Sequence, residues 1–426
     1  MKERLVITSI ARTPLDSQKG KEFKEMTIPE LAVIPVKAAI ERSNLGVSDV
    51  DGLIMGNMDQ GTGEATNIAR HVALKAGLDY KTALAYTVNR VCGSGFQAVA
   101  SSMMEIWAGQ GDIYVAAGVE MRSHSKVSLP LSFAWTGIPK GGILLGGPEY
   151  KGDATFPKEV FGTSWEAPDG RVVPYNGPGL TVEKASIQLG VTREESDRFA
   201  YDSQMKMKRA QEENRFADEI IPIEYPETDR KGKVNMVSCD TDLHPKPNTT
   251  MEGLAGLPPA FLKDGGVVTA GSASGSVDGS AAVVIMSEEN AAKRGLKPIA
   301  YLVDFAFGGV DPTIMGTGPF EAINKLFART GKSFDDVDVV EINEAFCAQV
   351  LTCMKLWGFD FESDFYKKLN PNGGATSIGH PEGCTGVRLT LTVAEELRRK
   401  GQKYGVASAC IGGGMGAAIL IENAQL

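Results

Sequence analysis

The sequence has little basic charge and no long apolar run, and both absences narrow its function. Its 44 lysines and arginines stand against 53 aspartates and glutamates, which gives a formal net charge of −9. A protein that binds nucleic acid without regard to sequence needs a basic surface, so that role is not expected. No apolar stretch of about 18 residues occurs, and the N-terminus passes from charged residues directly into a strand-like run. We therefore expect a soluble cytoplasmic protein with no membrane partner.

Histidine and cysteine are also scarce, with four and six residues in 426. The cysteines form no C-x-x-C pair, which favours reduced thiols over a disulfide frame or a zinc site. No metal-ligand set is visible, and no G-x-G-x-x-G follows the first strand-like run, so neither a metal nor a nicotinamide cofactor is expected. Three histidines (71, 124 and 244) fall in a helix or in loops. The fourth, His380, lies between Gly379 and Pro381, which restricts its backbone.

Glycine, by contrast, is abundant, with 49 residues grouped where strand-like runs meet helix-like ones. Strand-like and helix-like segments alternate over the first 120 residues, a rhythm that predicts a mostly parallel sheet covered by helices. The length is too great for one simple core, so we expect an α/β protein of two or three domains.

The second half of the chain repeats the pattern of the first. Asp49-Val50-Asp51 and Asp336-Val337-Asp338 begin similar segments 287 residues apart, and Cys92 and His380 lie 288 residues apart. The near-equal offsets predict a duplicated fold in which these two glycine-rich turns are equivalent. Two similar halves that face each other would bring the turns together.

We therefore divide the chain into three parts. Residues 1–120, completed by 265–290, form an N-terminal half, and residues 296–426 form a C-terminal half. Residues 121–264 form a loop domain, because 121–180 is rich in proline and glycine and has poor periodicity. Long excursions of this kind are often lids or binding loops, although a solvated insertion would have the same composition.

Cys92 occupies the turn between a strand-like run, residues 83–88, and a helical run that extends to Trp107. A thiol at the start of a helix is in a positive field, which favours the thiolate, and the free backbone N–H groups there can hold an oxyanion. The alternative is that Cys92 is a small buried apolar residue, as many free cysteines are.

Three further segments carry chemistry. Asn343-Glu344-Ala345-Phe346 follows a buried strand-like run, His380 lies in a glycine-rich turn, and Cys410 precedes Gly412-Gly413-Gly414. A histidine in such a turn can deprotonate a cysteine or donate to an oxyanion, and a second cysteine can carry a proton. Asn343 can position a water or a carbonyl. A structural imidazole remains the alternative for His380.

Together these segments resemble the signature motifs of the thiolases, in order and spacing, over essentially the whole chain. The quoted motifs are Val91-Cys92-Gly93-Ser94-Gly95, Asn343-Glu344-Ala345-Phe346, Gly379-His380-Pro381 and Cys410-Ile411-Gly412-Gly413-Gly414-Met415-Gly416. The resemblance implies the thiolase fold: duplicated βαβαβ halves in a five-layered αβαβα arrangement with an irregular loop domain.

The resemblance also implies a mechanism. His380 would activate Cys92, which would attack the keto carbon of a 3-oxoacyl-CoA, and Cys410 would protonate the departing enolate. One oxyanion site would use His380 and a water held by Asn343, and the other the backbone N–H groups of Cys92 and Gly412.

Coenzyme A would be a co-substrate, with no bound cofactor. Residues 263–279 resemble the family's pantetheine-side loop, so Ser274, Ala273 and Phe346 are predicted to contact CoA.

Several departures from the family pattern put specificity for acetoacetyl-CoA in question. Asn176-Gly177-Pro178 stands where thiolases usually carry His-Met-Gly, and Glu382 and Cys384 replace an apolar residue and an alanine. We therefore expect an acyl group bulkier than acetoacetyl: branched, aromatic or carboxylated.

The alternatives are an acetoacetyl-CoA thiolase, a ketoacyl synthase-like condensing enzyme and a non-catalytic scaffold subunit. The resemblance further implies a homodimer or homotetramer, and an additional partner subunit stays open. The expected pathway is β-oxidation, in fatty acid or aromatic acid degradation.

Overall fold

The computed structural model describes residues 3–17, 23, 26–60, 67–124, 164–174, 177–228 and 232–426. The strands are β1 Leu5–Arg12, β2 Asp16–Ser17, β3 Gly52–Gly56, β4 Leu84–Val88, β5 Ile113–Met121, β6 Ser164–Glu166, β7 Val172–Pro174, β8 Ile223–Thr228, β9 Val234–Cys239, β10 Val277–Ser287, β11 Ala300–Gly309, β12 Val339–Ile342, β13 Tyr404–Ile411 and β14 Met415–Asn423. The α-helices are α1 Ile28–Arg42, α2 Ile68–Ala76, α3 Ser94–Trp107, α4 Pro178–Leu189, α5 Arg193–Glu212, α6 Met251–Ala255, α7 Glu288–Lys293, α8 Gly318–Thr330, α9 Cys347–Trp357, α10 Asp364–Lys368, α11 Ala375–Ile378 and α12 Glu382–Lys400.

Most of the strands belong to one continuous sheet with the order β12-β13-β14-β11-β1-β10-β5-β3-β4, and β2 pairs with β10. The sheet consists of two half-sheets joined where β1 runs antiparallel to β11. That seam contains three residue pairs, from Leu5 and Leu302 to Ile7 and Ala300. The predicted mostly parallel sheet was wrong: β3 is parallel to both β4 and β5, and β12 is parallel to β13, but the other pairings in this sheet are antiparallel.

Five layers follow from which side chains each strand buries. On β1, Val6 joins a core with α1 and α2, whereas Leu5 and Ile7 join a second core with α3 and α12. Alternate residues of a strand face opposite sides, so both faces of this half-sheet are covered. A third core lies between the other half-sheet and α8 and α9. Helices therefore form the two outer layers and the central layer, as the sequence predicts.

The duplication is also present in the fold. A short 3-10 turn and β3 in the first half correspond to a 3-10 turn, Phe334–Asp336, and β12 in the second. Helices α3 and α12 begin at Ser94 and Glu382, 288 residues apart. Cys92 and His380 each lie two residues before the start of their helix, so the predicted equivalence of the two turns agrees with the element positions.

The central helices α3 and α12 cross with almost no space between their backbones. A Cβ placed at Gly386 would lie 2.0 Å from the backbone nitrogen of Phe96 and 2.5 Å from the carbonyl carbon of Gly95. Only glycine fits at such a crossing. The contact fixes the starts of both helices, and thus the two turns that precede them, relative to each other.

The predicted loop domain is only partly within the described residues. Residues 125–163, 175–176 and 229–231, which include most of the proposed lid, lie outside them. Helix α5 begins at a capping box, in which Thr192 and Glu195 exchange hydrogen bonds. The β8–β9 hairpin was not predicted, because Pro226 interrupts β8 and most of β9 is exposed and lacks apolar alternation. The division into three domains stays a prediction.

Candidate functional site

Cys92 lies in a tight turn whose backbone is held by local hydrogen bonds. Val91 has a left-handed φ of 49°, which is strained for a β-branched residue. The Asn89 side chain accepts a hydrogen bond from the Val91 nitrogen at 2.9 Å. The Ser94 hydroxyl accepts from the Arg90 nitrogen at 2.9 Å and donates to the Val91 carbonyl at 2.6 Å. These bonds keep the strained conformation that presents Cys92.

The surroundings of Cys92, which is partly buried, favour the thiol over the thiolate. Burial raises its pKa well above the ordinary value, the negative charges available to Cys410 and Glu382 raise it further, and a backbone N–H from Gly412 opposes them. We expected the start of α3 to favour the thiolate, and this expectation was wrong for the resting site. Desolvation outweighs the field of the helix terminus, so another group must remove the proton during a reaction.

The second cysteine, Cys410, is close to Cys92. It is buried near the end of β13 and packs against Met315, Ala345 and Phe346. Burial, with a smaller contribution from Cys353, raises the pKa of Cys410 to about 12. The residue is therefore a neutral thiol that can hold a proton for transfer.

The two cysteine-bearing turns are in direct contact. A Cβ at Gly93 would lie 2.3 Å from Cδ1 of Ile411. Gly412 faces Val91 across the same gap, since a Cβ at Gly412 would lie 3.3 Å from Cγ1 of Val91. Each half of the duplicated fold thus contributes one turn to a shared site.

His380 is held in one neutral tautomer. The Thr385 hydroxyl donates to the carbonyl of Pro381 at 2.9 Å, so its oxygen is free to accept from Nδ1 of His380 at 2.7 Å. The proton of the neutral ring therefore resides on Nδ1, and Nε2 carries the lone pair. Burial lowers the pKa of His380 to about 3, and the positive charges of Arg388 and Arg122 add to the effect. At neutral pH, Nε2 is available to accept a proton.

Asn343 lies against this nitrogen. Its Nδ2 is 3.4 Å from Nε2 of His380, and its own backbone nitrogen donates to the carbonyl of Ser408 at 2.8 Å. Its Oδ1 is buried and has no hydrogen-bond partner among the described residues. Asn343 therefore has a free acceptor next to His380, which suits the binding of a water.

Glu344, which follows Asn343 in the same motif, binds the backbone segment that precedes His380. Its carboxylate accepts from the Asn370 side chain at 2.7 Å, the Thr376 nitrogen at 3.0 Å and the Ser203 hydroxyl at 2.8 Å. These contacts place the segment that ends in His380 and leave the imidazole to Thr385 and Asn343.

A cleft of about 400 Å³ is lined by two of the three residues predicted to contact CoA, Ala273 and Ser274. Phe346, the third, does not line it but pairs with Ala273 through a β-bridge. The Ser274 nitrogen donates to the Ala345 carbonyl at 3.0 Å. The same cleft is lined by polar residues that sequence reasoning did not single out: Gln204, His244, Lys246, Asn248, Thr249 and Thr376.

Sequence reasoning also missed Thr385 and Arg122. Thr385 is in the first turn of α12, five residues after His380, and this spacing could have indicated a hydroxyl partner for the ring. Arg122 follows β5 in a short 3-10 turn, and no local pattern links it to a site 260 residues away.

The described part of the chain shows no group of three or more side chains able to hold a metal ion. All six cysteines are free. Over the same ranges, no helix has the length and apolarity needed to cross a membrane.

Comparisons with known proteins agree over nearly the full length. Residues 5–289 match the model of the thiolase N-terminal domain, and residues 296–423 that of the thiolase C-terminal domain. The acetyl-CoA acetyltransferase of Syntrophomonas wolfei is 38% identical over 427 residues, covering 99% of this chain and 100% of its own. The mitochondrial 3-ketoacyl-CoA thiolase of Bos taurus is 38% identical over 417 residues, or 98% of each chain. The crystal structure of the human mitochondrial 3-ketoacyl-CoA thiolase in complex with CoA superposes with a TM-score of 0.82 at 34% identity, covering 99% of this chain and 98% of that one.

Proposed function

The chain belongs to the thiolase family of acyltransferases, and from this premise we propose that it cleaves a 3-oxoacyl-CoA with CoA through an acyl group on Cys92. The products are a shortened acyl-CoA and acetyl-CoA or a related acyl-CoA, and Claisen condensation is the reverse reaction. The observation that carries the proposal is the meeting of the two cysteine-bearing turns: the Cys92 sulfur accepts the Gly412 N–H and lies close to Cys410, and Nε2 of His380 carries a lone pair.

In the first half-reaction, Nε2 of His380 takes the proton of Cys92, and the sulfur attacks the keto carbon. The bond between the keto carbon and the adjacent carbon then breaks, its electron pair forms the enolate of an acyl-CoA, and Cys410 supplies the proton. A neutral histidine and a protonated cysteine are the states that these transfers require.

In the second half-reaction, the Cys410 thiolate left by the first half-reaction takes the thiol proton of CoA, and the CoA sulfur attacks the acyl group on Cys92. The thioester bond to Cys92 breaks, and the protonated His380 returns its proton to the departing sulfur. The site then returns to its resting state.

Two oxyanion sites fit the geometry. The carbonyl oxygen of the acyl group on Cys92 would be held by the backbone N–H groups of Cys92 and Gly412. The thioester oxygen of the enolate would be held by His380 and by a water bound to Asn343, whose Oδ1 has no partner among the described residues. The cleft at Ala273 and Ser274, with Phe346 behind it, would hold the pantetheine arm.

The acyl group is proposed to be bulkier than acetoacetyl. In the sequence, Asn176 and Gly177 stand where thiolases usually carry the His and Met that line the acyl pocket, and the loss of that bulk would leave room beyond the keto carbon. An acetoacetyl-CoA thiolase is the second candidate, since relatives of similar identity bear both the acetyltransferase and the 3-ketoacyl-CoA thiolase name.

We also propose a homodimer or homotetramer. Strand β4, which leads to Cys92, is at the end of the sheet order, and its Leu84 is 66% exposed. An exposed edge strand with apolar side chains is a common contact between subunits. A further partner subunit, a cytoplasmic location and a role in β-oxidation stay predictions from the sequence.

The test is thiolysis of a panel of 3-oxoacyl-CoAs, with mass spectrometry of the enzyme after quenching. We expect an acyl adduct on Cys92 and loss of turnover in Cys92→Ala, whereas Cys239→Ala, a change in the β8–β9 hairpin, keeps both. If no substrate acylates Cys92, the proposal is wrong. If acetoacetyl-CoA is cleaved far better than longer or aromatic substrates, the second candidate replaces the bulky acyl group.

A further inference from the structure

Three charged side chains lie together near Cys92 and do not line the CoA cleft: Asp59, Arg122 and Glu382. The Arg122 guanidinium lies between the carboxylates, with Nη1 at 3.9 Å from Asp59 and Nε at 3.7 Å from Glu382. Both distances are too long for hydrogen bonds. The three side chains are largely buried, with 28% of Arg122, 19% of Asp59 and 14% of Glu382 exposed.

The backbone around these side chains is fixed. The carboxylate of Glu120 accepts hydrogen bonds from the backbone nitrogens of Met58, Asp59 and Gly383 at 2.8–3.0 Å. One buried group therefore holds the loop after β3 and the start of α12 side by side. The charged cluster rests on this support, so its arrangement is built into the fold rather than adopted by mobile surface chains.

Two atoms of the cluster are buried and unsatisfied. Nε of Arg122 and Oε2 of Glu382 have no hydrogen-bond partner within the described ranges. An unpaired buried donor or acceptor destabilises the fold, so such groups normally have a reason to be present. Here one is a donor and the other an acceptor, and they belong to side chains that lie next to each other.

The cluster borders the reacting atoms. Glu382 is two residues after His380, and its charge is near enough to raise the pKa of Cys92. The Met58 carbonyl accepts a hydrogen bond at 2.9 Å from the side chain of Asn89, three residues before Cys92. None of the three charged residues lines the cleft at Ser274. The cluster is therefore placed to meet the acyl part of a substrate rather than its CoA part.

The polarity of the unsatisfied atoms selects among polar acyl groups. A carboxylate can only accept, so it would satisfy Arg122 and be repelled by Glu382 and Asp59. An ammonium group can only donate, so it would satisfy Glu382 and be repelled by Arg122. A hydroxyl group can do both.

We propose that Arg122 and Glu382 determine substrate specificity by binding a hydroxyl group on the acyl chain of the 3-oxoacyl-CoA, with Arg122 donating to its oxygen and Glu382 accepting its proton. This inference rests on the proposed thiolase function and narrows it to a hydroxylated acyl group. A site built around hydrogen bonds to a hydroxyl discriminates strongly against analogues that lack it.

The test compares kcat/KM for thiolysis of 3-oxoacyl-CoAs that have matched chain lengths and end in a methyl, hydroxyl, carboxylate or ammonium group. We expect the wild-type enzyme to favour the best hydroxyl substrate over its methyl analogue by roughly tenfold or more. The double variant Arg122→Met/Glu382→Leu should lose or reverse this preference, and the readout is the ratio of kcat/KM for the hydroxyl and methyl substrates, because a general effect of the lost charges on Cys92 and His380 acts on both substrates alike. Urea unfolding of the variant checks that it is folded.

The matched control is Arg198→Met/Glu362→Leu, because this pair is also an arginine–glutamate contact, at 3.6 Å, but is exposed. The control should keep the hydroxyl preference. If the wild-type enzyme cleaves the methyl, carboxylate or ammonium substrate as well as the hydroxyl substrate or better, the inference is overturned and the thiolase proposal stays intact. The absence of any thiolysis and of any Cys92 adduct overturns both.

Discussion

The crossing of α3 and α12 offers a sharp test of how the site is assembled. In Gly386→Ala, the new methyl group would lie 2.0 Å from the backbone nitrogen of Phe96 and 2.5 Å from the carbonyl carbon of Gly95. Both atoms are backbone, so no side-chain rotation can relieve the contact. The helices must separate by about 1 Å to restore ordinary packing distances, since interiors are close-packed.

This separation has a stability cost and a catalytic cost. Overpacking of this kind destabilises a core by about 1–3 kcal/mol. The shift also moves the turn of Cys92 away from the turn of His380, and a misplacement of about 1 Å at reacting groups lowers rates by about 10²-fold. We therefore expect a lower urea midpoint and a fall in kcat/KM for thiolysis of roughly 10²-fold in the fraction that remains folded.

The control is Gly309→Ala at the end of β11, where a Cβ would meet nothing within 4 Å and φ is not left-handed. The alanine lowers the conformational entropy of the unfolded chain, so the free energy of unfolding should stay unchanged or rise by up to about 1 kcal/mol. If Gly386→Ala unfolds at the wild-type urea concentration and retains full activity, the reasoning about the crossing is refuted.

Three other changes test individual parts of the structure. Thr385→Val removes the oxygen that accepts from Nδ1 of His380 and fixes its tautomer, so kcat should fall by about tenfold or more. Thr385→Ser keeps this oxygen and should keep most of the activity. A pre-steady-state assay of Cys92 acylation compares the two variants. Glu219 and Asp242 each bind Arg12 at 2.8 Å in the interior. Arg12→Met removes their bound cation and leaves two buried carboxylates, so the free energy of unfolding measured in urea should fall by about 3–5 kcal/mol. A smaller fall than in the exposed control Lys293→Met would contradict this. The pKa of His380 is lowered to about 3 in the folded protein, whereas it is about 6.5 in the unfolded chain, so between these values the unfolded chain binds one more proton and stability is lost as the pH falls from about 6.5 toward about 3. Over that range the free energy of unfolding should fall more for the wild type than for His380→Gln. Equal losses would rule out the lowered pKa.

The sequence pattern predicted much of the fold but less of the electrostatics of the site. Glycine-rich turns at nearly equal offsets predicted the duplication, because each half must repeat the same strand-to-helix connection around Cys92 and His380. The protonation state of Cys92 was not predictable in the same way. A helix start favours thiolate locally, whereas the depth of burial depends on how Ile411 and Gly412 from the other half pack over the turn.

The charged cluster shows the same limit. Glu382 stood out as a departure from the family pattern, but its neighbours Asp59 and Arg122 come from two other loops, and only the pairing of β3 with β5 brings these loops together. Long-range contacts between unrelated segments leave no periodic trace in a sequence. Thr385 is an intermediate case, since its spacing from His380 is local but a hydroxyl in a first helical turn has many possible roles.

The seam between β1 and β11 has a mechanical consequence. The seam contains three residue pairs, from Leu5 with Leu302 to Ile7 with Ala300, so it is a narrow hinge. The close packing of α3 against α12 prevents the two half-sheets from rotating about this hinge. Any rocking would change the gap between the sulfurs of Cys92 and Cys410 before it disturbed the packing within either half. The distance between Cys92 and Cys410, which act on the same substrate from opposite halves, is thus set by the stiffness of the contact between the repeats.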